Sequence, residues 1–130
     1  MRSPSPPKRR PSAASRRKPE RSIDRCLQMV EEMTLEHVAL LVTDPVALAA
    51  WYVAHLGLRV AKEGPPPAHA RFLADPRGMM IEVYANPALA VPDYAAMDPL
   101  VLHVAFAAED VAAERARLIA AGGRADGGVT

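Results

Sequence analysis

The chain has 130 residues, half of them hydrophobic, which is enough for one domain with a real core. Its formal net charge of +1 hides an asymmetry: residues 1–32 hold nine Lys/Arg against four acids, and residues 33–130 hold seven against eleven. The second part has no basic surplus, which argues against nucleic acid as its main partner, and its lack of a long apolar run excludes a membrane-spanning helix.

Residues 1–32 are a basic tail rich in Pro, Ser and Arg and poor in apolar side chains. Such a segment buries too little surface to offset its ordering entropy and is expected to be disordered. Three readings stay open. Met29 and Met33 both precede the first strand-like run, so the tail is an extension upstream of the true start or without function, the favoured reading; it is a basic tether to an acidic surface; or it is an organelle presequence, whose amphipathic helix five prolines would spoil. The single cysteine, Cys26, lies in this tail, so a disulfide framework or cysteine-built zinc site within one chain is excluded. A reducing, cytoplasmic compartment is expected.

The run 35–43, LEHVALLVT, reads as a strand. Asp44 then suits a helix N-cap and Pro45 a first helical turn, and 45–56 places Leu48, Trp51, Tyr52 and His55/Leu56 at helical spacing before Gly57. Leu58-Arg59-Val60 begins a second strand. Lys62–Pro67 reads as a loop, because three consecutive prolines cannot pair in a sheet. Residues 69–74 form a third strand, Asp75-Pro76-Arg77-Gly78 a turn, and 79–85, MMIEVYA, a fourth strand. The residues after Asn86 up to Pro99 read as a linker, 100–107 (LVLHVAFA) as a strand, and 111–121 as a helix capped by Asp110 and closed by Gly122-Gly123.

A shift of 66 residues lays His37-Val38-Ala39 on His103-Val104-Ala105, Asp44 on Asp110, Ala47 on Ala113 and Gly57 on Gly123. The fold expected is therefore α+β, with paired βαβββ modules: module one over 34–86, a linker over 87–99 and a partial module two over 100–130. The last three strands of the second module are expected beyond Thr130, so the chain reads as truncated, and an inactive fragment is one of its possible identities.

Strand alternation puts His37 on a face with Leu35, Ala39 and Leu41, Glu82 with Met80 and Tyr84, and His103 with Val101 and Ala105. Ionisable groups among apolar neighbours are costly unless paired or metal-bound, and two imidazoles with a carboxylate are a donor set that open-site divalent metals use. A lone strand histidine is more often structural. Here, however, the two histidines hold equivalent repeat positions, and Glu82 is the one acid within a predicted strand interior apart from Glu36 at a strand's start. His37, Glu82 and His103 are accordingly the candidate metal ligands, with Glu82 also the candidate catalytic carboxylate. His55, His69, Arg71 and Arg77 are weaker candidates for function, and Trp51 and Tyr52 read as packing residues.

These residues resemble the vicinal oxygen chelate superfamily, which includes glyoxalases, bleomycin-resistance proteins and extradiol dioxygenases. The resemblance is carried by His37 before the Asp44-capped helix with Trp51-Tyr52, by His55-Leu56-Gly57-Leu58, by FLADPRGMMIEVYANP over 72–87 and by LVLHVAFAAEDV over 100–111. It implies a metal-holding cup of paired modules and a small substrate chelated through neighbouring oxygens, with a divalent metal (Zn, Ni, Fe, Mn or Co) as Lewis acid on an enediolate-like charge. The His, Glu, His order looks most like a glyoxalase-type lyase or isomerase. Its fourth ligand, a last-strand Glu that also serves as base, is missing from this sequence. An extradiol Fe(II) dioxygenase and a non-enzymatic drug-binding protein are the competing expectations. A homodimer is the expected assembly, with no nucleic acid or membrane partner for the folded part.

Overall fold

A computed structural model describes residues 32–128, and within it residues 35–128 cluster as one compact unit. The tail readings, Cys26 and Met29 lie outside the described residues. The elements are β1 (His37–Leu41), α1 (Pro45–Leu56), β2 (Arg59–Glu63), β3 (Arg71–Ala74), β4 (Met80–Tyr84) and α2 (Val111–Ala120). No described helix is long and apolar enough to cross a membrane.

The four strands form one sheet in the order β1-β4-β3-β2. β4 lies parallel to β1, while β3 runs antiparallel to both β4 and β2. This is one βαβββ module with a second helix after it, the α+β architecture expected. Helix α1 starts as its residues dictate: Asp44 accepts from the Ala47 amide at 2.9 Å, Pro45 occupies the first turn, and Gly57 closes the helix at φ 68°, a left-handed conformation that glycine adopts without steric cost.

One face of the sheet packs against α1. Leu73 and Val83 are fully buried there, joined by Val42, Ala49, Leu58 and Ile81, with Leu40, Leu48, Tyr52 and Leu56 partly buried around them. Alternation along β4 follows directly: Ile81 and Val83 are buried, while Met80, Glu82 and Tyr84 lie on the other, half-exposed side. The core is thus one-sided, and the second sheet face is left open.

Two expectations need correction. Lys62 and Glu63 do not belong to the proline loop; they continue β2, paired with Phe72 and Arg71. The segment 100–107 is not a strand. Its start is drawn into a turn, with the Leu100 amide donating to Asp98 Oδ1 at 2.9 Å and the Val101 amide to the Asp98 carbonyl at 2.9 Å. A strand needs a neighbouring backbone to satisfy its donors and acceptors, and no described strand forms a ladder with this segment. Its side chains stay exposed, including Leu100, Val101, Val104 and Phe106.

The repeat persists in the caps. Asp110 accepts from the Ala113 amide at 2.9 Å, as Asp44 does from Ala47. The second helix ends earlier than the first copy predicts, with Ala121 as C-cap and Gly122, rather than Gly123, at positive φ. α2 has no buried residue and is anchored by polar contacts: Trp51 Nε1 donates to the Ala121 carbonyl at 3.0 Å and Arg117 to the His55 carbonyl at 2.7 Å. The linker is tied down where Tyr94 Oη donates to the Leu41 carbonyl at 2.9 Å.

Candidate metal centre

The open face of the sheet carries two of the three candidate ligands. In register, β1 places Ala39 beside Glu82 and His37 beside Met80, so His37 and Glu82 stand diagonally on one face. Their side chains meet there, with His37 Nε2 3.4 Å from Glu82 Oε2. The other ring nitrogen, Nδ1, lies 3.1 Å from Glu36 Oε2. Phe72, on the adjoining β3, packs edge-on against the imidazole with ring centroids 5.3 Å apart.

The hydrogen-bonding inventory restricts this site. The tautomer decides which ring nitrogen donates, Nδ1 to Glu36 or Nε2 toward Glu82. In the Nδ1–H tautomer the Nε2 lone pair and the Glu82 carboxylate oxygen stand side by side, two donor atoms of the kinds that a divalent ion takes. The donor chemistry therefore fits a cation, with an imidazole nitrogen and a carboxylate oxygen as two of its ligands.

The surroundings differ from the sequence reading in one respect. Apolar neighbours on each strand suggested buried ionisable groups. Instead the face is uncovered, with the His37 side chain 32% exposed and that of Glu82 18%. Water reaches both groups, so their presence there carries no large desolvation cost.

His103 does not join them. It lies exposed after the turn, its Nδ1 2.9 Å from the Pro99 carbonyl, and among the described residues no cluster of three His, Cys, Asp or Glu side chains is placed to hold a metal. The structure brings together two of the three predicted ligands. The weaker candidates fall elsewhere. The His55 ring packs on Trp51 at 4.9 Å between centroids. Arg71 pairs with Glu63 at 3.5 Å and donates to the His69 and Ala70 carbonyls. Arg77 lines a separate groove of about 1220 Å³ with Trp51, Leu58, Phe106 and Leu118, remote from the His37–Glu82 pair and left by the thin packing of α2.

Sequence reasoning missed three residues around the His37–Glu82 pair and its face. Lys62 Nζ sits 5.3 Å from the centroid of the Phe72 ring, Arg59 shares that face, and Glu36 holds His37. Only Glu36 had a readable signal, as an acid beside a candidate ligand.

The site thus sits on a βαβββ module whose first and fourth strands present an imidazole and a carboxylate to one open face. The model of the Glyoxalase/Bleomycin resistance protein/Dioxygenase superfamily matches residues 34–130, and the chain belongs to that superfamily. No curated protein and no solved structure matches it.

Proposed function

We propose that this chain is a metal-dependent member of its superfamily, of glyoxalase-like lyase or isomerase type, acting on a small substrate bound through neighbouring oxygens. The observation that carries the reading is the convergence of His37 Nε2 and Glu82 Oε2 at 3.4 Å on an uncovered sheet face, with the far side of the imidazole held by Glu36. His37 and Glu82 are two donors to a divalent ion. His103 is the third, joining when residues 100–107 pair as a strand, within one chain or between the two copies of a homodimer. Held by these residues, a divalent ion would supply Lewis-acid stabilisation of negative charge on a substrate oxygen. Glu82, with its second carboxylate oxygen, accepts a proton from the substrate carbon that bears one chelating oxygen and returns it to the neighbouring carbon, while the hydroxyl proton passes between the two oxygens, so hydroxyl and carbonyl exchange places with no net redox change.

Elemental analysis of the purified chain and of three variants tests the reading. About one divalent ion per chain is expected in the parent protein, reduced in His37→Ala, Glu82→Gln and His103→Ala. Absence of metal from the parent after loading with Zn, Ni, Co, Mn or Fe(II) would sink it. Iron as the retained ion, with oxygen uptake on a catechol, would replace the isomerase with a dioxygenase.

A further inference from the structure

We propose that Arg59, Lys62 and Phe72 form an anion-recognition subsite beside the His37–Glu82 pair, so that the substrate carries a carboxylate or similar organic anion beyond its chelating oxygens. The location of those oxygens rests on the metal reading above; the subsite itself rests on β2.

Arg59 and Lys62 are three residues apart, and in a regular strand they would point to opposite faces. The pairing of β2 with β3 prevents this. Arg59 pairs with Ala74 and Val60 with Leu73, but Lys62 pairs with Phe72, so the register slips by one residue at Ala61. The slip is a β-bulge, a device that re-aims side chains and recurs beside active sites. Its effect here is specific. Val60 stays on the helix side, where it lies with Val46, Ala49 and Val53 of α1, and both cations come to the open face. Cations that merely protect a sheet edge from association need no common face.

Between these cations and the donor pair lies Phe72. One side of its environment is the His37 imidazole, edge-on at 5.3 Å, and the other is the Lys62 ammonium, 5.3 Å from the ring centroid. The ring attracts the ammonium electrostatically and limits its wandering, while offering an apolar floor for carbon atoms. Neither Arg59 nor Lys62 has an ion-pair partner among the described residues, whereas Arg71, on the opposite face, is paired with Glu63. The open face is therefore divided: oxygen-chelating donors on β1 and β4, an aromatic strip on β3, and two available cations on β2. The β4 and β2 backbones are two strand spacings apart, roughly 10 Å. A molecule with vicinal oxygens at one end and an acid at the other spans the face.

Three catechols serve as vicinal-oxygen probes of the Co²⁺-loaded chain: dihydrocaffeate, which is anionic, 4-ethylcatechol, neutral, and dopamine, cationic. Calorimetry is expected to give dihydrocaffeate about fivefold tighter binding than 4-ethylcatechol, with dopamine weakest and the differences shrinking in high salt. In the Arg59→Met/Lys62→Met double variant the three affinities should converge while metal content and the circular dichroism spectrum stay unchanged. Equal binding by the parent protein, or a preference that survives the double substitution, would overturn the subsite. If the chain takes up no metal, the metal reading fails separately. Hydrocinnamate titrated into the metal-free protein then decides the subsite alone: amide shifts at Phe72 and Lys62, lost in the double variant, support it, and their absence removes it.

Discussion

Glu36 acts on the proposed metal through the imidazole between them. Its carboxylate lies 3.1 Å from Nδ1, where accepting the Nδ1 hydrogen would fix the tautomer and leave Nε2 to face Glu82. Glu36→Ala is expected to weaken divalent metal affinity about tenfold, without loss of thermal stability, because outer carboxylates of this kind tune ligands rather than hold the fold. Calorimetric metal titration checks the first part, and ¹⁵N spectra of the His37 ring in the metal-free protein check the tautomer. An unchanged affinity and an unchanged ring spectrum would assign Glu36 to the solvated surface. Tyr52 gives a prediction of a different kind. Burial raises its phenol pKa above the usual 10.0, since the ionised form loses solvation in the folded state. The unfolded chain therefore releases this proton first as pH rises. The stability it contributes is complete below the unfolded pKa and is lost as pH climbs through the folded one. In Tm measurements from neutral to strongly alkaline pH, Tyr52→Phe should show a shallower alkaline decline than the parent; parallel curves would contradict this. His37 and Glu82 were legible because His37 recurs as His103 in the repeat and Glu82 is the one acid inside a predicted strand apart from Glu36 at a strand's start. Arg59 and Lys62 were not, because a one-residue bulge inverts alternation and no residue type announces it.

The elements that sequence located well are those with strong local chemistry. Asp44, Pro45 and Gly57 mark both ends of α1 through their own backbone and side-chain requirements, so helix and boundaries agree with the reading. Strand ends were less legible. β1 and β3 are shorter than their apolar runs, since pairing partners rather than propensity decide where a ladder stops. The run 100–107 is the extreme case, as strand-like in composition as 35–43 but without a described partner. Caps with the same local geometry should also differ in worth. Asp44→Ala is expected to cost about 1 kcal/mol of global stability, because α1 covers the core. Asp110→Ala removes the same bond from a helix that buries nothing, and its effect should be confined to local opening of α2. Denaturant unfolding with amide exchange separates the two; equal global losses would mean that α2 unfolds together with the sheet.

At the scale of the molecule, one face of the sheet is finished and the other is not. α1 closes the first. The second displays His37 and Glu82 uncovered, while residues 100–107 of the same chain leave Leu100, Val101 and Phe106 exposed and hold His103 against the Pro99 carbonyl. Exposed apolar side chains and unpaired backbone are both costs that strand pairing would relieve. Metal binding supplies a reason for pairing to occur, since a ligand that prefers the paired arrangement stabilises it by its differential affinity. On addition of divalent metal, amides over 101–107 are therefore expected to gain exchange protection in the parent chain and not in His103→Ala. Protection that depends on protein concentration would place the pairing between two copies, and protection independent of it within one. Stoichiometric metal uptake without protection at 101–107, and unaffected by His103→Ala, would give a different molecule: a two-donor site on His37 and Glu82, with water completing the coordination and His103 no part of it.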